Sequence, residues 1–310
     1  MLFFIYLIGD YMKIGIPRSF VYYYFKDTWK YLFEKLNVDV IISPKTNKEI
    51  LDLGNKYSND EMCLSLKNYI GHVAYLKDKC DYILIPRIDN YGISNQTCTN
   101  YLAIYDIINN LFDIKILNYN INMKNKETEL KGLINIGKIL GVSKKEIKSA
   151  YMYAKIKSNK DNKKRILQNL SKLNSNKTKV LLISHSYNTY DELIGKPIIN
   201  FLNKLNIEII YSDLFDLNIT NKLSKNLSNG LYWKFSKDSI GAIEYCKNKI
   251  NGVIFLSTFP CGLDSLVNEL VMRKIDIPYL NLIIDDLDSS VGLETRIESF
   301  IDILEQKANL

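Results

Sequence analysis

Two rhythms of apolar residues alternate along the chain. Short β-branched runs are followed by longer stretches whose apolar positions fall three and four residues apart, the spacing of a helix face. Lys13-Ile14-Gly15-Ile16-Pro17 reads as a strand with Arg18 at its carboxyl end, and Trp29, Leu32, Phe33 and Leu36 mark a helix over 22–36. A strand over 38–42, helices over 47–57 and 62–79, a third strand from Asp81 to Arg87, a helix over 99–111 and a strand over 114–117 follow. From 122 to 177 strand signals fade, and helices are expected over 127–140 and 144–173. Alternation then resumes, with strands over 179–184, 207–211, 253–258 and 279–284 and helices over 193–205, 236–249, 264–274 and 295–304. The pattern predicts an α/β protein: two doubly wound α/β domains with mainly parallel sheets joined by a helical segment. The expected division is an N-terminal extension over 1–11, a first α/β domain over 12–121, a helical linker over 122–177 and a second α/β domain over 178–310. No repeat of short period is present, which excludes a solenoid.

Composition narrows the class. At 310 residues with 47% hydrophobic content, the chain can build more than one core. With 41 basic against 34 acidic residues, the net charge of +7 is too mild to announce a nucleic-acid binder. The densest basic stretch, 155–179, holds nine basic residues and one acidic one without an aromatic stacking pattern, so it reads as a solvated helix face and no nucleic-acid partner is expected. No apolar run reaches the ~18 residues of a membrane-spanning helix, and the opening Leu2–Ile8 run has no basic region before it, so neither membrane nor secretory signal is expected. Five widely spaced cysteines make no disulfide framework, and a cytoplasmic protein with reduced thiols is the expectation.

Three of those cysteines stand where strands end or helices begin: Cys63 in Asp60-Glu61-Met62-Cys63, Cys98 in Gln96-Thr97-Cys98-Thr99, and Cys261 in Phe259-Pro260-Cys261-Gly262. Backbone N–H groups and the helix dipole favour a thiolate there, and Lys67, one turn after Cys63, would add to it. Strand ends of open α/β sheets converge on one crevice, so the three sulfurs could share a metal centre. Separations of 35 and 163 residues (98 minus 63, 261 minus 98) match no compact metal signature, and unrelated buried thiols remain the alternative. Cys80 and Cys246 read as core residues. Arg18, Lys45 and Arg87 follow strand ends and could meet a substrate phosphate or balance a negative centre; ordinary surface charge is their other reading. His72, on a helix with Tyr69 and Leu76, reads as a packed or capping residue, and His185 as a candidate general acid. Gly132–Lys138 fits G-x-x-x-x-G-K, but Ile139 replaces the Mg²⁺-binding hydroxyl and no strand precedes it, so no ATP site is expected there.

As a set, several stretches carry a family resemblance. They are Met12–Arg18, Thr46–Gly54, Asp60-Glu61-x-Cys63 with Lys67, Gly71-His72-Val73, Ile85-Pro86-Arg87, His185-x-Tyr187-Asn188-x-Tyr190-Asp191, Leu231-Tyr232-Trp233, Phe259–Ser265 and Thr295–Phe300. In this order they resemble the iron–sulfur subunits of 2-hydroxyacyl-CoA dehydratases, and especially their relatives, the acyl-CoA dehydratase activase-related and double-cubane cluster proteins. The resemblance implies that Cys63, Cys98 and Cys261 hold a [4Fe–4S] or double-cubane cluster in an interdomain cleft, with one iron open to a ligand. It implies low-potential reductive chemistry or electron transfer, an ATP-hydrolysing activase as electron donor, an acyl-CoA or other small-molecule substrate, and a homo- or heterodimer. Leu64 and Thr99 stand where the family usually has Pro after the cysteine, and Asp285-Asp286-Leu287 lacks the family's usual His. The other readings are a metal-free two-domain small-ligand binding protein, and a structural zinc protein using His72 or a carboxylate as fourth ligand.

Overall fold

Both sets of β-branched runs form sheets of parallel strands. The structure, a computed structural model, describes residues 12–285 and 291–308; the expected extension over 1–11 and positions 286 and 287 lie outside the described residues. The chain opens with β1 (Lys13–Ile16), α1 (Tyr22–Leu36), β2 (Asp39–Ile42), α2 (Lys48–Tyr57), α3 (Leu64–Leu76), β3 (Tyr82–Leu84), β4 (Arg87–Asn90), α4 (Thr99–Leu111), β5 (Ile116–Leu117) and β6 (Asn120–Asn122). Two helices, α5 (Glu129–Ile139) and α6 (Lys144–Ser171), lead to β7 (Lys179–Ile183), α7 (Ser186–Thr189), α8 (Gly195–Lys204) and β8 (Glu208–Tyr211). Then come α9 (Leu217–Leu227), α10 (Lys234–Cys246), β9 (Gly252–Thr258), α11 (Gly262–Met272), β10 (Tyr279–Ile284) and α12 (Val291–Ala308).

The first sheet has the order β2-β1-β3-β5 and the second β10-β9-β7-β8, with every pairing in both parallel. In each, the first strand lies inside the sheet and the chain builds outward on both sides, which is the doubly wound arrangement. Burial on both faces explains the continuous apolar runs. Every residue of β9 is buried. Its Ile254 and Leu256 face α8 and α12 through Ile198, Leu202, Ile297 and Phe300, while Val253 and Phe255 face α10 and α11 through Ile240, Ile243, Val267 and Val271.

The expected third strand over Asp81–Arg87 is divided. Pro86 has no N–H to donate, so the first sheet keeps only Tyr82–Leu84, and Arg87 begins β4, which pairs with β6 in a separate two-stranded ladder. Gly132–Lys138 lies inside α5, as its helical spacing indicates.

Three features fix how the halves meet. Helix α6, 28 residues and about 42 Å long, starts at a Ser143–Glu146 capping box and packs on α1. At its far end the Asn169 side chain donates to the carbonyls of Tyr211 (3.0 Å) and Leu214 (3.1 Å) and accepts from the Tyr211 N–H (2.9 Å). The backbone of Gln96 bonds that of 232–234 in parallel: its N–H donates to Tyr232 O (2.8 Å) and its carbonyl accepts from Lys234 N–H (2.9 Å). Lastly, the Leu64 N–H donates to Phe259 O at 3.0 Å, so the start of α3 is pinned to the segment after β9.

Helix α3 is held from behind by a close approach. A Cβ on Gly71 would stand 2.0 Å from the Ile50 carbonyl oxygen, and one on Gly54 would stand 2.4 Å from that of Lys67, so α2 and α3 cross backbone to backbone.

Candidate functional site

Cys63, Cys98 and Cys261 are the N-cap residues of α3, α4 and α11. Their places in the chain are far apart, yet all three line one cavity of about 620 Å³. Its remaining wall is largely apolar and aromatic, including Phe20, Met62, Tyr101, Tyr187 and Trp233. Phe20 packs against the rings of Tyr101 (5.2 Å) and Tyr187 (5.0 Å), which closes the inner side. A hydroxyl tie behind the cavity aligns its two sides: Ser65 Oγ donates to Asn188 Oδ1 (2.7 Å) and shares a 2.9 Å bond with Thr258 Oγ1.

The sulfurs receive hydrogen bonds. Asn100 Nδ2 donates to Cys63 Sγ at 3.6 Å, and the Asp264 N–H donates to Cys261 Sγ at 3.4 Å. Backbone donors from Leu66 reach Cys63, and those of Asn100 and Tyr101 reach Cys98. These bonds favour the thiolate, as sequence position suggested, but burial outweighs them. It pushes Cys63 up to about 11, raises Cys98, and raises Cys261 further, with Asp264 and the neighbouring thiols adding to the rise. Burial thus opposes the thiolate that helix-start position favours. Lys67, expected to favour the thiolate, instead lines a separate cavity with Lys48, Asp52, Asp60 and Asp285.

The other candidates lie apart from the three cysteines. Arg18 Nε donates to the Ser43 carbonyl at 2.9 Å, and its guanidinium lies over the Tyr22 ring. Lys45 pairs with Glu192 (2.7 Å), and Arg87 with Asp106 of α4 (2.6 Å). None of the three lines the cysteine cavity. Cys246 is fully buried in the second core, and Cys80 donates to the Leu76 carbonyl at the end of α3.

His185 is the N-cap residue of α7. Its Nε2–H donates to Asp264 Oδ1 (3.0 Å), which leaves Nδ1 to accept from Tyr24 Oη (3.3 Å). The ring stacks on Tyr187 at 4.9 Å and lines a void of about 20 Å³, room for one water. It thus orients Asp264, and through it the start of α11, and does not face the cavity itself. Asp264 escaped sequence reasoning, although an acid three residues after a helix-starting Cys is a recognisable first-turn signal.

His72 is a packed residue. Fully buried, it bridges Ser43 Oγ (2.9 Å at Nδ1) and Thr46 Oγ1 (3.2 Å at Nε2), and Thr46 in turn donates to Asp191. Burial, with Arg18 nearby, lowers it to about 3. The unfolded chain takes up this proton near pH 6.5 and the folded one does not, so stability attached to His72 is complete above pH 6.5 and lost as pH falls toward 3. The expected slope is about 1.4 kcal/mol per pH unit within that window. Urea unfolding from pH 7 to 4 should show His72→Gln to be less acid-sensitive than the unsubstituted chain; parallel curves would refute the assignment.

Among the described residues, no three His, Cys, Asp or Glu side chains converge as ligands of a metal ion. A tetrahedral zinc needs donors ~2.0–2.3 Å from one point, and His72, an expected fourth ligand of the zinc alternative, is instead held between Ser43 and Thr46. A cluster is a larger object held by sulfurs that stand further apart. Cys63, Cys98 and Cys261, half-buried, with N–H donors aimed at their sulfurs and no ammonium in the cavity, are a donor set that would fit such a cluster. No helix among the described residues is long and apolar enough to cross a membrane.

The family model described as CoA enzyme activase uncharacterised domain (DUF2229) matches residues 13–215, a span that includes Cys63, Cys98 and His185 and stops before Cys261. No curated protein matches the chain. Among solved structures, an NtrC family transcriptional regulator from Clostridium acetobutylicum is 10% identical over 96% of this chain and 100% of its own, with a TM-score of 0.21. A Zn(II)-bound AdcAII variant of Streptococcus pneumoniae is 12% identical over 95% of this chain and 98% of its own, with a TM-score of 0.28. Likenesses at such scores carry no argument.

Proposed function

The chain belongs to the family described as CoA enzyme activase uncharacterised domain, and from that premise we propose that it is an iron–sulfur protein of the 2-hydroxyacyl-CoA dehydratase-related kind. The observation that carries the reading is the meeting of Cys63, Cys98 and Cys261, from three separate helix starts, at one largely apolar cavity. In this reading the three sulfurs hold a [4Fe–4S] or double-cubane cluster. Such a cluster, bound by three thiolates, supplies low-potential electrons and an iron with an open position.

The protein's own residues set the conditions. The Asn100 amide and the Asp264 N–H bond two of the sulfurs, which lowers the electron density on them and so tunes the potential. Phe20, Tyr101 and Tyr187 keep water from the inner wall, and His185 holds Asp264 and the first turn of α11 in place. An ATP-hydrolysing activase would deliver electrons from outside; the phosphate-loop-like stretch Gly132–Lys138 lies within the turns of α5. The substrate in this reading is an acyl-CoA or another small molecule that reaches the cavity.

Purification without oxygen, followed by iron and acid-labile sulfide analysis and EPR of the reduced protein, tests the reading. The expected result is a brown protein with about four irons and equal sulfide for each cubane. A colourless, folded protein with neither metal nor sulfide would overturn it and leave a metal-free ligand-binding protein.

A further inference from the structure

A second cavity, of about 420 Å³, lies between α1, α6 and the loops that follow β7 and β8. It is beyond the carboxyl ends of those two strands, where doubly wound sheets collect their ligands. Four tyrosines (Tyr23, Tyr24, Tyr190 and Tyr211) line it together with Lys26, Lys155, Arg165, Asp27 and Asp213.

The charges there are unequally satisfied. Asp27 is paired with Arg165 at 2.6 Å, and Asp213 accepts from Ser186 Oγ (2.7 Å) and Tyr190 Oη (3.1 Å). Lys26, by contrast, makes no ion pair among the described residues. Its ammonium lies over the rings of Tyr23 (5.7 Å) and Tyr190 (5.6 Å), partly stripped of water, and burial lowers its affinity for a proton. Lys155 pairs at long range with Glu129 (3.9 Å) and lies over the Tyr151 ring. Three cationic side chains thus line the cavity against two carboxylates, Asp27 and Asp213, both of which also act on Lys26. The rest of its lining suits hydroxyl groups: Asn159 and Asn162 at the exposed rim, with Thr28 and Ser158 deeper in. Tyrosine faces pack well against the C–H faces of a sugar ring.

We propose that this cavity binds a sugar phosphate, either free or as the sugar-phosphate part of a nucleotide. Lys26 and Lys155 would meet the phosphate, and the amide and hydroxyl groups along α6 and α1 would meet the sugar. The site is separate from the three-cysteine cavity and does not depend on iron.

Calorimetric titration of the full chain with ribose 5-phosphate, AMP, adenosine and inorganic phosphate tests it. Ribose 5-phosphate and AMP should bind, and Lys26→Met should weaken both at least tenfold. Because Lys26 packs between rings, Asn162→Glu provides a second variant: on the exposed rim it leaves the fold intact and should repel the phosphate, again by at least tenfold. AMP binding tighter than ribose 5-phosphate would identify a nucleotide, and equal binding a free sugar phosphate. The proposal fails if neither phosphorylated probe binds, if adenosine or inorganic phosphate binds as tightly as they do, or if neither variant weakens binding.

Discussion

Replacing Cys63, Cys98 or Cys261 by Ser, one at a time, should each lower bound iron and acid-labile sulfide at least tenfold, while Cys80→Ala and Cys246→Ala leave both unchanged. The contrast rests on position. The first three line one cavity, whereas Cys80 donates to a helix carbonyl and Cys246 is packed among Ile240, Ile243 and Val253. A serine oxygen is a harder and more basic ligand than a thiolate, so each substitution would remove one of the three proposed ligands. The effect should also be selective between ligands. Cys261 receives the Asp264 N–H, and Cys63 the Asn100 amide, so Asn100→Leu should shift the reduction potential while leaving the iron content near that of the unsubstituted protein. Equal iron in all five cysteine variants would show that these sulfurs are not ligands.

The second large effect is structural. Gly71→Val should cost about 3 kcal/mol or more, the upper end of what overpacking produces, from a stability that for most proteins totals only ~5–15 kcal/mol. The added side chain would meet backbone: the Ile50 carbonyl oxygen would lie 2.0 Å from its Cβ and the Gly54 nitrogen 2.9 Å away. Backbone atoms of a neighbouring helix cannot rotate aside, so α2 and α3 must separate. Gly71→Ala meets the same Cβ contact, which offsets the ~1 kcal/mol that Ala gains over Gly in a helix interior. Urea unfolding measures both. A Gly71→Val midpoint equal to that of the unsubstituted chain would show that the two helices have room to spare.

Much of the architecture was legible because buried parallel strands leave an unambiguous mark. The helix over 22–36 and the strand over 279–284 fall on α1 and β10 residue for residue, and the sequence of alternation gives the two parallel sheets. The division at Pro86 was less visible. A continuous Ile-Leu-Ile-Pro-Arg run looks like one strand until the missing N–H is counted against a specific neighbour, and that neighbour, β6, is only three residues long. Helix α9 gave no sequence expectation at all, since its polar composition, Leu-Asn-Ile-Thr-Asn-Lys, hides a face that packs on α10.

At the site, the helix-start positions of the three cysteines could be read from the sequence, but the ionisation of the sulfurs could not. Helix dipoles act locally and can be inferred from neighbours in the chain; desolvation depends on walls such as Tyr187 and Trp233 that arrive from far along it. The same distinction explains Lys67. One turn from Cys63 in sequence, it lines a different cavity, together with Leu64 and Phe259.

The backbone stitch from Gln96 to residues 232–234 bears on how anything gets in. Two lobes joined only by a hinge can swing apart around a guest, as jaws do, but here a pair of main-chain bonds on one flank and the Leu64–Phe259 bond on another span the joint. Wide gaping would sever them all. A visitor to the thiols must therefore enter without a wide parting of the lobes, through a cavity whose walls include Met62 and the exposed Leu266.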